Sequence, residues 1–385
     1  MAREVSPIPQ LQEFLFIVEN MRIGGIQRLV LDECYRLIQL GYQASIISLS
    51  PQLMDDNILE VDSEFPLVQK ISITYLESKK LFQLKHFCKL IRSNPRGKLI
   101  TSHSASAVPL LRFVSVIQRK KINLTLYIHQ LMTLSDAKQK MKRFVYSLFA
   151  NEIAFSSNQF LLDWNVELDQ SKFHWVFYKK KMQFDRMGVY LPRLEWGKLN
   201  GKEVCESRVP HLIFMSRIST WKGSKDFTEI CDRNLNQNLH AIAFVSSSSR
   251  KELFDPIEFS SETAHALYAR GLTNTSIDPY SIHIYPSNYG PKVRFPQSIG
   301  MNVLEMIACG IPSLISEEGF ESWPELRDSL LVQVVNWDST IEVDKAITSA
   351  LNLSIEERRK ATEKLLKTIS VEQHVDRIVE RSKGN

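Results

Sequence analysis

The stretch at 297–313 holds the most informative spacing of polar and small residues. It reads Gln-Ser-Ile-Gly-Met-Asn-Val-Leu-Glu-Met-Ile-Ala-Cys-Gly-Ile-Pro-Ser. Gly300 predicts a loop that enters a helix of about two turns, Gly310 its end, and Pro312–Ile315 a strand. Glu305 would lie in the N-terminal half of that helix, where the helix dipole stabilises a carboxylate that can accept two ribose hydroxyls. Its apolar neighbours make a plain surface charge the less favoured alternative, because Glu is seldom buried unpaired.

Two cations follow the strand predicted at His211–Met215. Arg217 and Lys222 stand five residues apart, and Gly223 comes next. Open α/β sheets bind ligands at the carboxyl ends of their strands, so this pair could neutralise a diphosphate leaving group. The alternative is a solvated basic loop, since Arg and Lys are usually exposed.

Two glycines, Gly24 and Gly25, lie between a predicted strand and an amphipathic helix. Glycine lets the backbone approach a ligand closely, and the helix N-terminus offers N–H groups and positive dipole to phosphate. The spacing is neither the dinucleotide-binding G-x-G-x-x-G nor a P-loop, which disfavours a Rossmann dehydrogenase or an NTPase. A tight turn between strand and helix is the competing interpretation.

Taken in order, these motifs resemble those of the retaining GT-B glycosyltransferases of family 4, and the resemblance covers nearly the whole chain. The family's glycine-rich loop, its GR-x4-KG phrase, its PS phrase and its E-x7-E segment are matched at Gly24-Gly25, Arg217 to Lys222-Gly223, Pro286-Ser287 and 297–313. The run Leu-Tyr-Ile-His129-Gln is similar to the family's TxHD histidine, and Thr-Ser-His103-Ser to an upstream strand end. A histidine after a strand is otherwise a packing or surface residue.

The resemblance implies an α/β fold of the GT-B type. It consists of two Rossmann-like, doubly wound parallel-sheet domains that face a cleft, with a C-terminal helix that returns to the N-terminal domain. We place the acceptor domain at 1–204, the nucleotide-sugar donor domain at 205–368 and the returning helix at 369–385. It also implies a metal-independent, cofactor-free hexosyltransferase of polysaccharide biosynthesis. The enzyme would move a sugar from a UDP- or GDP-type donor, with retention, to a glycan or lipid-linked acceptor.

The resemblance also assigns roles to residues. His129 and Gln297 would orient the donor sugar, while Arg217 and Lys222 would stabilise the departing diphosphate. The residues expected to bind the donor are Gly24, Gly25, Arg217, Lys222, Ser287, Ile299, Gly300, Met301 and Glu305.

Gln297 departs from the family pattern because it replaces the first Glu of the E-x7-E segment. Gln can hydrogen-bond a hydroxyl but carries no charge. The segment 288–296, which contains Lys292 and Arg294, is also longer than usual. These departures keep two alternatives open, namely a GT-B sugar-nucleotide epimerase and a non-catalytic sugar-nucleotide binder.

Two basic stretches in the N-terminal half, Gln118–Lys121 and Lys138–Phe144, combine cations with aromatic residues. Such a face could contact anionic lipid or a lipid-linked diphosphate. A solvated helix face explains the same pattern.

The elements that must position these residues alternate between strand and helix, which indicates parallel sheets covered by helices. Strands are predicted at Phe14–Val18, Ala44–Leu49, Lys98–Thr101, Leu124–Ile128, Glu152–Ser156, His211–Met215, His240–Val245 and Ser281–Tyr285. Helices are predicted around Ile26–Ile38, Asp226–Cys231 and Val371–Ser382. The spacings Ser354–Glu357 and Ser370–Gln373 predict capping boxes. A linker is predicted between about Gly188 and Pro210, where the alternation breaks.

Composition excludes several classes of protein. The chain has 385 residues, 44% of them hydrophobic and 24% charged, which is typical of two globular domains. Its net charge of +5 is small for this length and does not by itself indicate nucleic-acid binding. Its five cysteines are scattered, so neither a zinc site nor a disulfide framework is expected. The charged, proline-containing start does not resemble a signal peptide, and no apolar run approaches bilayer length. We therefore expect a cytoplasmic protein, peripheral at the inner face of a membrane.

Overall fold

The computed structural model describes residues 13–22, 24–52, 57–61, 63, 65–77, 80–92, 99–129, 144–169, 181–194, 210–215, 222–234, 239–244, 258–259, 280–286, 299–317 and 323–383. Two parallel sheets dominate these residues. The first has seven strands in the order β3-β2-β1-β4-β5-β6-β7, and the second has six in the order β10-β9-β8-β11-β12-β13.

The first sheet comprises β1 (Glu13–Val18), β2 (Gln43–Ser48), β3 (Ser72–Tyr75), β4 (Leu99–Ser102), β5 (Asn123–Ile128), β6 (Glu152–Phe155) and β7 (Lys181–Phe184). The helices along this part of the chain are α1 (Gly25–Gln39), α2 (Ile58–Val61), α3 (Lys80–Arg92), α4 (Ala107–Ile117) and α5 (Asn158–Asp169).

The second sheet comprises β8 (His211–Met215), β9 (His240–Phe244), β10 (Glu258–Phe259), β11 (Ile282–Tyr285), β12 (Ser313–Ile315) and β13 (Val332–Val334). Its helices are α6 (Ser224–Asn234), α7 (Met301–Ala308), α8 (Thr340–Leu351) and α9 (Ile355–Ile369), and α10 (Glu372–Lys383) follows.

Continuous apolar runs become strands buried on both faces. The five residues of β1 from Phe14 to Val18 are at most 2% exposed, which requires helices on both faces of the sheet. All nine predicted strands, including the one at Pro312–Ile315, are present, with boundaries within one residue of those expected. The prediction of parallel sheets covered by helices is therefore confirmed.

Glycine and capping side chains end and start the helices where the sequence indicated. Gly41 follows α1 with φ +85° and Gly310 follows α7 with φ +78°, conformations that cost glycine little. Ser354 and Glu357 form the predicted capping box at the start of α9. The second predicted box is wrong, because the Ser370 hydroxyl accepts from the backbone N–H of Glu372, two residues on, rather than three.

Two segments cross side by side between the sheets. The backbone N–H of Val189 donates to Ile369 O (2.8 Å), and the N–H of Val371 donates to Val189 O (2.9 Å). Gly188 makes this approach possible, since a Cβ there would lie 2.4 Å from the carbonyl oxygen of Ser370. The paired backbone bends the chain at Val371, so α10 begins at Glu372 and not earlier.

Helix α10 packs against the first sheet and α1. Val371, Val375, Ile378 and Val379 are buried in one cluster with Phe14 and other residues of β1, β2 and α1. The predicted return of the last helix to the N-terminal half is confirmed. The predicted linker lies mostly outside the described residues, so the domain boundary at 204 stays a prediction. Within the described residues, no helix is both long and apolar enough to span a bilayer.

Candidate functional site

The start of α7 is fixed by a glycine that leaves room for a tyrosine. Gly300 precedes the helix in an extended conformation, and a Cβ there would lie 2.8 Å from Tyr285 Oη. Tyr285 ends β11, so the helix begins at the carboxyl end of the sheet, where α/β folds bind ligands. The first turn of any helix leaves backbone N–H groups without intrahelical acceptors, and these attract anions. Ile299, Gly300 and Met301 form this helix start, as the sequence predicted, and their contact with a donor stays a prediction.

The Gly24-Gly25 loop lies opposite this helix start. Gly24 precedes α1 without a side-chain cap, and a Cβ on Gly25 would lie 3.8 Å from Met301 Cγ. The fold thus brings the N-termini of α1 and α7 together from different sheets. Two positive helix ends at one place favour a negatively charged ligand.

Lys222 is held beside the same tyrosine. Its ammonium donates to Tyr285 Oη (3.3 Å) and lies 5.4 Å from the centre of the Tyr285 ring. Gly223 follows with φ +72°, and a Cβ there would lie 2.4 Å from Pro286 Cγ, so only glycine fits. The fold therefore explains the Lys-Gly pair, because the positive-φ turn at Gly223 places Lys222 next to Tyr285.

Glu305 is buried in an ion network rather than open to solvent. The Glu305 carboxylate is 2.6 Å from the Arg193 guanidinium and 3.9 Å from that of Arg28. Arg193 also binds Asp32 at 3.1 Å. Burial raises the pKa of Asp32 to about 6, and the two arginines oppose that rise. Two cations and two carboxylates balance inside the interface, as buried charges require.

This network limits how Glu305 can meet a ligand. Arg193 engages its Oε1, so a ribose hydroxyl would be accepted at Oε2. No spacing in the sequence indicated Arg193 or Asp32.

His129 follows β5 and lies against a second histidine. Its Nε2 is 2.7 Å from Nδ1 of His103, which follows the neighbouring strand β4. Burial and, to a smaller extent, the charge of His374 lower the pKa of His129 to about 3. Burial likewise lowers the pKa of His103 well below its ordinary value. Both rings are therefore neutral at physiological pH.

Three predicted site residues, Arg217, Ser287 and Gln297, lie outside the described residues, as does the segment 288–296. Their assignments stay predictions. Among the side chains that the structure describes, no group of three His, Cys, Asp or Glu residues could hold a metal ion.

Comparison with solved structures identifies the fold. Neither a protein-family model nor a curated protein sequence matches the chain. A glycosyltransferase from Rickettsia africae superposes with TM-score 0.67 at 16% identity, covering 97% of this chain and 98% of that one. Anabaena HepE in complex with UDP and glucose gives TM-score 0.67 at 14% identity, covering 97% and 100%. The UDP-forming α,α-trehalose-phosphate synthase of Burkholderia vietnamiensis gives 0.62 at 13% identity, covering 96% of each chain. The chain has the GT-B fold.

Within this GT-B chain, the predicted residues fall into two groups. Gly24, Gly25 and Met301 meet where α1 and α7 begin, and Gly300 and Lys222 adjoin them through Tyr285. His129 follows β5 of the first sheet, whereas Lys222 comes after β8 of the second sheet. Any ligand that touches both must therefore span the space between the two sheets.

Proposed function

We propose that the chain is a glycosyltransferase that moves a hexose from a UDP-type nucleotide diphosphate sugar to a glycan or lipid-linked acceptor, with retention and without a metal ion. The observation that carries this proposal is the meeting of two helix N-termini, glycine-lined at Gly25 and Gly300, beside Lys222 in a GT-B fold. HepE has been crystallised with UDP and with UDP-glucose, which supports UDP as the nucleotide.

In this mechanism the negative charge that develops on the departing diphosphate is met by fixed positive groups. Lys222 and Arg217 supply full charges, and the backbone N–H groups at Gly25 and at the start of α7 supply partial ones. Glu305 accepts a ribose hydroxyl, and His129 and Gln297 orient the sugar. Two cations and two helix ends take the place that a divalent cation holds in other phosphate chemistry.

The decisive experiment measures nucleotide binding and then turnover. In a thermal-shift panel of UDP, GDP and ADP, we expect UDP to raise the melting temperature most, because a ligand that binds the native state stabilises it. Release of UDP from UDP-hexoses should then depend on added acceptor and persist in EDTA. Tight UDP binding without turnover of any donor would instead support the non-catalytic binder. Acceptor-free conversion of one UDP-sugar into its epimer would support the epimerase. No stabilisation by any nucleotide would reject all three.

We further propose that the protein works in the cytoplasm with α3 and α4 resting on an anionic membrane. Helix α3 carries Lys80, Lys85, Lys89 and Arg92 and no acidic residue. Next to these cations, Leu81 is 75% exposed, and on α4 Val116 and Ile117 are 68% and 61% exposed. Basic side chains around protruding apolar ones fit an anionic lipid surface.

The second predicted basic stretch has a single described residue. Its described member, Phe144, is buried against Trp164, with ring centres 4.6 Å apart. The remainder of that stretch lies outside the described residues. The membrane-facing surface that we propose is therefore centred on α3 and the end of α4.

Vesicle sedimentation tests the membrane surface. We expect the protein to sediment with vesicles of anionic phospholipid at low salt and to leave them as salt is raised. The double variant Val116→Ser with Ile117→Ser should lose most of this binding. Ile341→Ser is a matched control, because Ile341 is equally exposed (66%) on α8 of the second sheet. Equal binding by all three proteins would reject this surface.

A further inference from the structure

A row of buried polar groups leads from His129 to α10. His103 Nδ1 lies 2.7 Å from His129 Nε2, and His103 Nε2 faces the Glu33 carboxylate of α1 at 3.8 Å. The other oxygen of Glu33 lies 2.5 Å from His374 Nε2, and His374 Nδ1 lies 2.9 Å from Asp185. The row thus crosses from the candidate sugar site, through α1, to the last helix.

The charges at the far end of this row balance. Asp185 also binds Arg377 (2.7 Å) and Arg381, and Arg381 contacts Glu152 (3.4 Å). Glu33, Asp185 and Glu152 therefore face His374, Arg377 and Arg381, three carboxylates against three cations, with Lys181 at the exposed rim. Burial alone would lower the pKa of His374, but the carboxylates of Asp185 and Glu33 raise it to about 9. His374 therefore holds both ring protons and donates one to Glu33 Oε1. Burial raises the pKa of Glu33, and the charge of His374 and its hydrogen bond oppose that rise, so Glu33 accepts this bond as a carboxylate.

Hydrogen-bond accounting then fixes the proton on His103. Among the described residues, His103 Nε2 and Glu33 Oε2 are both buried and have no hydrogen-bond partner, and they face each other. A carboxylate only accepts, so the neutral His103 places its single proton on Nε2. Its Nδ1 is then a bare acceptor. The 2.7 Å contact consequently requires His129 to donate through Nε2, which leaves His129 Nδ1 without a proton.

The rings are also held in place. Tyr127 stacks on both His103 and His129, with centroid distances of 5.2 and 4.6 Å, and its hydroxyl donates to the backbone carbonyl of Asp185. The planes of His103 and His129 differ by only 15°. Neither imidazole can turn over to exchange its nitrogens without breaking this stack.

We propose that Glu33, oriented by His374, is a positioning residue that fixes the tautomer of His129, so that its Nδ1 accepts a hydrogen bond from a hydroxyl of the donor sugar. The sugar contact rests on the proposed function; the tautomer does not. A bare nitrogen pairs with a hydroxyl and repels a carboxylate. The row therefore selects a neutral hexose and disfavours a uronic acid.

Histidine nitrogen NMR on the full-length protein tests the tautomer directly. With signals assigned by His103→Gln and His129→Gln variants, we expect His103 and His129 to carry their protons on Nε2. In Glu33→Gln, the amide oxygen should face His374 and the amide N–H₂ should face His103 Nε2. The ring proton of His103 and that of His129 should then both be found on Nδ1 instead of Nε2. His283→Gln is the control, because His283 is also an internal histidine but lies in the second sheet, where it pairs with Ser313.

Donor competition gives the second measurement. We expect UDP-glucose to be preferred over UDP-glucuronate by at least about tenfold in kcat/KM, and Glu33→Gln to narrow that ratio while UDP affinity is unchanged. A wild-type spectrum with His129 protonated on Nδ1 would overturn the proposal even where Glu33→Gln does not fold. A folded Glu33→Gln variant in which His103 and His129 keep their protons on Nε2 would also overturn the proposal. The expected tautomers without any sugar transfer would reject the proposed function alone.

Discussion

The variant Gly25→Ala tests whether Gly25 is required for stability or for ligand binding. Gly25 is the first residue of α1, its φ is not positive, and an added Cβ would meet only Met301 Cγ at the ordinary distance of 3.8 Å. Alanine is favoured over glycine in helices by roughly 0.5–1 kcal/mol. The free energy of unfolding should therefore stay level or rise by up to about 1 kcal/mol, which shifts the melting temperature by at most about 3 °C.

The same methyl group should weaken ligand binding. It projects into the space between the starts of α1 and α7, where we place the diphosphate. We expect UDP affinity to fall at least tenfold, or about 1.4 kcal/mol, in isothermal titration, and the transfer rate to fall with it. A more stable protein that binds its ligand less well is the signature of a functional glycine.

Gly41→Ala is the matched control. Gly41 has φ +85° and open space around it, so alanine there costs about 1–2 kcal/mol from backbone strain and should leave UDP affinity unchanged. If Gly25→Ala bound UDP within twofold of the wild type and kept its rate, the Gly-Gly pair would be a tight turn and nothing more.

Lys222→Ala should lower kcat about 10²-fold while circular dichroism shows the fold intact, and an unchanged rate would remove Lys222 from the mechanism. Gly188→Ala should destabilise the protein by about 1–3 kcal/mol in a denaturant melt, because its Cβ would collide with the backbone of Ser370; an unaltered melt would contradict the close crossing. The pKa of His374 is raised from 6.5 to about 9, so its stabilising contribution is complete below pH 6.5 and is lost as pH rises through 9. Thermal melts between pH 6 and 10 should show a loss of stability with rising pH in the wild type and a much smaller loss in His374→Gln.

The sequence predicted those features that depend on neighbours along the chain. Apolar runs such as Phe14–Val18 gave strands, Gly41 and Gly310 gave helix ends, and Ser354 gave a capped helix, because each depends on a few adjacent residues. The parallel α/β sheets followed from the same alternation, whereas the GT-B arrangement and the returning last helix were implied by the resemblance to family 4. The Ser370 box failed because Val189, far away in sequence, pairs with the backbone there and moves the helix start.

The buried ion networks could not be predicted in this way. Arg193 meets Asp32 across 161 positions and Glu305 across 112, and His374 meets Glu33 across 341. Only the topology brings these side chains together, and each of them alone has the character of an ordinary surface charge. Glu305 was found through its motif, but its arginine partners had no local signal.

The bond between Glu33 and His374 also bears on how the protein is made. Glu33 belongs to α1, whereas His374 and Arg381, which neutralise it, are translated some 340 residues later. A carboxylate inside an unfinished core is costly while it lacks its cation. We therefore expect α1 to stay close to solvent, where water can solvate Glu33, until α10 has been translated. We expect the first sheet to reach its native packing only after α10 has left the ribosome.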